Sequence, residues 1–249
     1  MAISWAIFAC AFGGALLGML LHKFLPAHHL ETDSKDVVKL GMALIATMTA
    51  LVLGLLIASA KSSFDVQRSE FTQMSANIIE LDRLLALFGP QTQEARDVLR
   101  RIALSLDRNW SAPTSRSEKL DSQQMRAGGV HFYEKIQGLV PRSDFQRAIQ
   151  GQALQIALDL GRMRSLLLEQ AGSSIPSPFL AVVVFWLAII FTSFGLFAPH
   201  NATVVTTLFL CALSVSGAIF LILELDSPFA GLMQISDAPL RNALALLGH

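Results

Sequence analysis

The sequence predicts an all-α, polytopic membrane protein: four transmembrane helices, with a helical cytoplasmic domain inserted between the second and the third. Three observations carry this. Hydrophobic residues make up 53% of the 249 and charged ones only 15%, and the mean hydropathy of +0.51 lies well to the apolar side of a soluble domain. The charges are segregated, with four windows that hold none and a central block that holds 15 of the 19 lysines and arginines. Each uncharged window is about 20 residues long, enough at about 1.5 Å per residue to cross a hydrocarbon core about 30 Å thick.

The first span is Ile3–Leu21. It has no basic stretch before it and no small-residue cleavage pattern after it, so it reads as a retained helix rather than a signal peptide. The second is Leu40–Ala60, the third Phe179–Phe197 and the fourth Val204–Leu223. A helix satisfies its own backbone hydrogen bonds, as lipid requires. The short segment "APHNAT" between the last two spans allows only a tight hairpin. The division expected is 1–61 for the first two spans, 62–177 for the cytoplasmic domain and 178–224 for the last two spans. Residues 225–249 are expected to form interfacial amphipathic helices.

Orientation follows from basic residues near the span ends. Lys61 and Arg68 follow the second span closely, Arg241 lies in the tail, and the hairpin between spans three and four has no Lys or Arg. The central block and both termini are therefore expected in the cytoplasm, with the chain multi-pass in the cell inner (plasma) membrane. Lys23, Lys35 and Lys39 in the first loop oppose this weakly and are accompanied by Glu31, Asp33 and Asp36.

The central block reads as helical. Phe64, Phe71, Ile78 and Leu85 repeat every seven residues, and Met74, Leu81 and Phe88 fill the second seam position, with Gln67 as the one break. Span two is thus expected to continue as one coiled-coil-like helix from Leu40 to Phe88, ended by Gly89-Pro90. A second helix over Thr92–Trp110 carries Ala95, Val98, Leu99, Ile102 and Leu106 on one face. Ser111–Gly129 reads as a loop, and a third helix starts near Val130 and stops before Pro141. A fourth, capped by Ser143 or Asp144, has the stripe Phe145, Ile149, Ile156, Leu160, Met163, Leu167.

Several function classes are disfavoured. Net charge is zero, so nothing suggests nucleic acid. No nucleophile elbow, phosphate loop or HExxH occurs, so an enzyme is not expected, nor a cofactor. No span centre contains an ionisable residue, which argues against a proton- or ion-coupled transporter. His28 and His29 with Glu31 and Asp33 are the only metal-like group, but adjacent histidines in a polar loop are usually just solvated, so no metal site is expected. Cys10 and Cys211 lie in apolar runs and read as small buried residues, not a disulfide.

The segments "LGLLIASAKSSFDVQRSEFTQMSANIIELDRLL", "EARDVLRRIA" and "ELDSPFAGLMQISDAPL", in a four-span frame with a helical insert, resemble the bestrophin-like domain family of bacterial and plant membrane proteins. The resemblance covers nearly the whole chain. True bestrophins, to which the likeness is more distant, are pentameric anion channels whose second span lines the pore. "DSPFAG" is similar to their Asn-Pro-Phe-Gly-like segment after the fourth span. The acidic run of the animal calcium clasp is absent, since Asp237 alone is acidic after Asp226. Span two also lacks the aromatic residues of the bestrophin neck.

With span two as a pore wall, Ala43, Thr47, Ala50, Gly54, Ala58 and Lys61 fall on one face at three- and four-residue spacing. A small, weakly polar row with a lysine at its cytoplasmic end can line a narrow conduit. The competing reading is that Ala46, Ala50, Gly54 and Ala58 form a small-xxx-small packing face. Gly14-x-x-x-Gly18 in span one reads as a helix contact. Asp226 before Ser227-Pro228 reads as the cap of an interfacial helix, and "SDAPL" repeats that signal. Glu224 and Asp226 are the candidates for a cation-attracting vestibule. The function expected is a homo-oligomeric passive ion channel, with the bilayer, copies of itself and inorganic ions as partners, and a pentamer implied by the resemblance only. The alternative is a non-conducting membrane scaffold or sensor whose helical domain binds a partner protein.

Overall fold

The structure is a computed structural model that describes residues 2–24, 32–111, 128–170, 177–199, 201–226 and 232–247. Every regular element among the described residues is a helix. They are α1 (Ala2–Phe24), α2 (Thr32–Phe88), α3 (Gln93–Ser111), α4 (128–137), α5 (Asp144–Gln170), α6 (Ser177–Phe197), α7 (Ala202–Leu225) and α8 (Ala238–Leu246), with a 3₁₀ turn at Pro90–Thr92. Four helices are long and apolar enough to cross a membrane: Ile3–Phe24, Asp36–Phe88, Pro178–Phe197 and Ala202–Leu225. They contain the four expected spans. The chain divides into one unit of Met1–Ser63 with Ser173–Asp226 and another of Phe64–Gly172 with Ser227–His249.

In the first unit, α1 packs tightly against α6 because glycine removes the side chains that would hold the backbones apart. A Cβ on Gly18 would collide with the Thr192 carbonyl oxygen, and one on Gly195 with the Ala15 carbonyl oxygen. The Gly14-x-x-x-Gly18 motif is therefore a helix contact, and Gly195 is its counterpart. His22 Nδ1 meets the Leu196 carbonyl at 2.8 Å at one end of this seam. Helix α7 joins α1 through a buried hydrogen bond from Ser216 Oγ to the Ser4 carbonyl, 2.7 Å, and through Phe209, which meets Phe8 and Phe12 edge to face. Asn201 starts α7, its side chain accepting from the Val204 N–H at 2.9 Å. Cys10 and Cys211, expected to be buried, are both exposed on this unit and unbridged. Their apolar surroundings in sequence reflect an exposed apolar helix surface, not this chain's own core.

Helix α2 is 57 residues long and begins at Thr32, eight residues before the expected start at Leu40. Nothing in "TDSKDVVK" breaks a helix, so the polar lead-in simply joins the apolar run. Its end is as expected: Gly89 has φ 125°, a conformation that side chains disfavour, and Pro90 follows. Thr92 Oγ1 lies 2.6 Å from the Leu85 carbonyl and 2.7 Å from that of Gly89, so its hydroxyl serves the orphan carbonyls of the last turn.

In the second unit, the heptad residues Phe64, Phe71, Met74, Ile78, Leu81, Leu85 and Phe88 are all buried, and so is Gln67, the break in the pattern. From α3, Ala95, Val98, Leu99 and Leu106 join them; α4 adds Phe132 and Ile136, and α5 adds Ile149, Ile156 and Leu167. Phe145, expected in the α5 stripe, is instead 63% exposed, because it sits in the first turn of the helix, ahead of the buried stripe that begins at Ile149. Ser143 is the cap, its Oγ accepting from the Gln146 N–H at 3.2 Å. Gln146 Nε2 donates to the Phe88 carbonyl, and Gln150 Nε2 to those of Ile136 and Leu139, so α5 closes the ends of α2 and α4.

The tail belongs to this second unit. Helix α8 lays buried Leu240 and Ala243 toward protein and packs on α3, with Arg241 2.6 Å from Asp237 and 4.0 Å from Asp107. That face is occupied by protein. Residues 232–236, expected to belong to a helix, are not helical, and the preceding 227–231 lie outside the described residues. Asp237 is the N-cap of α8 but its side chain makes no cap bond; the Ser236 Oγ before it accepts from the Ala238 N–H at 3.3 Å.

Candidate functional site

The membrane part of α2 has three surfaces. Met42, Thr49, Leu56 and Ala60 are buried. Leu40, Leu44, Leu51 and Leu55 form a bulky exposed ridge. Between these at helical spacing run Ala43, Thr47, Ala50, Gly54, Ala58 and Lys61, and all six are exposed. Only 11% of the α2 span window is buried, against 33%, 28% and 33% for α1, α6 and α7. This helix therefore has the largest surface left for something other than its own chain.

The small row can be tested against the packing reading directly. A Cβ on Gly54 would meet nothing within 4 Å, unlike those on Gly18 and Gly195. Within one chain the close helix approach is made by α1 and α6, not by Ala50, Gly54 and Ala58. Packing of this row remains open only between chains. Thr47 Oγ1 donates to the Ala43 carbonyl at 2.8 Å, which uses its hydrogen and leaves its oxygen lone pairs directed outward as acceptors. An oxygen of this kind has the chemistry to replace part of a cation's hydration shell.

Glu224 and Asp226 lie half-buried at the end of α7. Asp226 is the C-cap of α7, its N–H donating to the Ile222 carbonyl at 3.1 Å. The interfacial helix it was expected to cap would start at 227, and 227–231 lie outside the described residues. Two positions apart, the carboxylates do not share a helix face, so the fourth span alone does not make them one site.

No group of three or more His, Cys, Asp or Glu able to hold a metal occurs among the described residues. His28, His29 and Glu31 lie outside them, as does the side chain of Asp33.

Sequence reasoning missed one feature. An apolar groove of about 610 Å³ opens between α2, α6 and α7, with Met42, Ala46, Phe194, Phe197 and Leu208 among its walls and Lys39 at one end. The lining comes from three helices far apart in the chain, so no local pattern signals it.

Among curated proteins, none matches the sequence significantly. Solved structures do share the fold. A membrane protein variant superposes with a TM-score of 0.69 at 14% identity, covering 97% of this chain and 96% of its own. Two single-substitution variants of a bacterial bestrophin homologue from Klebsiella pneumoniae each give 0.66, at 15% and 14% identity, with 98% of both chains covered. The sequence profile of the Bestrophin-like domain matches residues 9–240, and the chain belongs to that family.

Proposed function

We propose that this protein is a homo-oligomeric, passive ion channel of the plasma membrane whose conduit is lined by Ala43, Thr47, Ala50, Gly54, Ala58 and Lys61 of α2. The observation that carries the reading is the exposure of this whole row, with open space over Gly54, on the least buried span of the chain. Membership of a bestrophin-like family supports the channel class, and a count of five chains is implied only by the more distant likeness to true bestrophins. The lysine and arginine distribution supports a cytoplasmic central domain and cytoplasmic termini. Glu224 and Asp226 serve a cytoplasmic vestibule that favours cations.

The test is ion flux through the purified protein in liposomes. Thr47→Trp, a bulky ring in the narrow row, should abolish flux while the oligomer stays intact. In a Cys10→Ala, Cys211→Ala background, a cysteine at Thr47, Ala50 or Gly54 should react with a charged thiol reagent and block flux. A cysteine at Leu44 or Leu51 should do neither. The reverse pattern would put the bulky ridge in the conduit. No flux under potassium, sodium or chloride gradients would favour the scaffold. An unchanged cation/anion permeability ratio in Glu224→Gln with Asp226→Asn would remove the vestibule assignment.

A further inference from the structure

We propose that the groove between α2, α6 and α7 binds one membrane phospholipid with an anionic headgroup, its tail between the helices and its phosphate on Lys39. The groove holds about 610 Å³, within the about 300–1,000 Å³ typical of small-molecule sites. Its residues cluster at one end of the spans: the start of the uncharged stretch of α2, the last turns of α6 and the first turns of α7. That is the depth at which a lipid has its headgroup at the water boundary and its chain just inside.

The walls match a tail. Met42, Ala46, Phe194, Phe197 and Leu208 are apolar; Ser193 and Thr207 are the hydroxyl residues set among them, and Thr207 Oγ1 already donates to the Thr203 carbonyl at 2.9 Å. The mouth matches a headgroup. Lys39 is the one ionisable lining residue, and Thr203, in the first turn of α7, adds a hydroxyl. A lysine at this position lays its methylenes along the apolar wall and keeps its ammonium at the interface. That ammonium meets Asp36 at 3.1 Å, with both side chains well exposed. Exposed pairs of this kind contribute little, so a phosphate can replace Asp36 as the partner, against the repulsion of the Asp36 charge.

A second copy of the chain is the competing occupant, and an intact oligomer that binds neither lipid in the groove would favour it and overturn the proposal. A bound tail would touch Ala43, which lies in the groove wall and also heads the small row of α2. The inference does not depend on conduction, because its test reads lipid and not current.

The experiment is native mass spectrometry of the full chain, released from detergent after titration with phosphatidylglycerol or phosphatidylcholine of identical acyl chains. One lysine near the surface is worth about fivefold for an anionic lipid, so phosphatidylglycerol should bind about fivefold more tightly. Lys39→Gln should abolish that preference and leave phosphatidylcholine binding unchanged. Asp36→Asn should widen it. Ala46→Phe, which fills the groove, should remove the tight site for both lipids; Ala46→Leu should weaken it if the larger residue prevents folding. Equal affinities for the two lipids in the wild type would overturn the proposal. So would a preference that survives Lys39→Gln, or an unaltered tight site in a folded Ala46 variant.

Discussion

Asp82 and Arg96 clamp the last turns of α2 to the start of α3, and the structure fixes what breaking that clamp should do. Arg96 Nε donates to Asp82 Oδ1 at 2.7 Å and Nη2 to Oδ2 at 2.8 Å, a bidentate pair. The side chains are only 16% and 9% exposed, Arg96 and Asp82 respectively. The hydrogen bond it donates to Asp82 holds the guanidinium above its ordinary pKa despite partial burial. Arg96→Met leaves a carboxylate nearly out of water with no counter-charge, which costs about 3–5 kcal/mol. That is a large share of a typical total of about 5–15 kcal/mol. Asp82→Leu strands the guanidinium similarly. Replacing both removes the two desolvation costs with the attraction, so Asp82→Leu with Arg96→Met should lie near the wild type or above it. Hydrogen exchange of the amides of Leu81, Leu85 and Leu99 in the full chain in detergent reads this locally. Single variants should lose protection by a factor of about a hundred or more, and the double variant should regain it. Small, additive losses would refute the reasoning and class the pair with exposed ones worth about 0–1 kcal/mol.

Further consequences are equally open to measurement. Phe71 is fully buried on the heptad face, so Phe71→Ala should destabilise the second unit by about 3–5 kcal/mol, seen as lost exchange protection around Phe71 and Met74. Gly195→Leu must push α6 away from the Ala15 carbonyl and should lower the detergent melting temperature sharply, whereas Gly217→Ala, facing open space, should not lower it. Glu94 carries a pKa held below its usual 4.5 mainly by the hydrogen bond from Lys135. Its small contribution is therefore complete above about pH 4.5 and fades as pH falls through the lower folded value. Glu94→Gln should erase that part of the acid dependence of stability and leave neutral-pH stability almost unchanged; an identical acid profile in the variant would contradict it.

The spans, the heptad helix and its end were legible because each is written within a short window. An uncharged run of about 20 residues has few alternatives to a membrane helix, and Gly89-Pro90 ends α2 by backbone sterics alone. Gly14 and Gly18 announced a contact, but their partner Gly195 stands alone in its own segment and could be found only in space. The misplacements have the same origin. Phe145 looked like core because its spacing fitted, yet its neighbours leave it in solvent. Cys10 and Cys211 looked buried because hydropathy does not distinguish lipid from protein as the apolar surroundings.

Hydrophobic run length, helix breakers and charge placement depend on neighbours along the chain, so the sequence by itself determined the all-helical class, the four spans and the helical insert. It also determined which residues of α2 share the small row. Whether that row is covered depends on contacts between distant segments, and tertiary structure alone decided it: the glycines of α1 and α6 take the close packing, and the row on α2 is left open. The groove beside Lys39 was decided in the same way. It is bounded by three helices whose lining positions become neighbours only once the chain has folded.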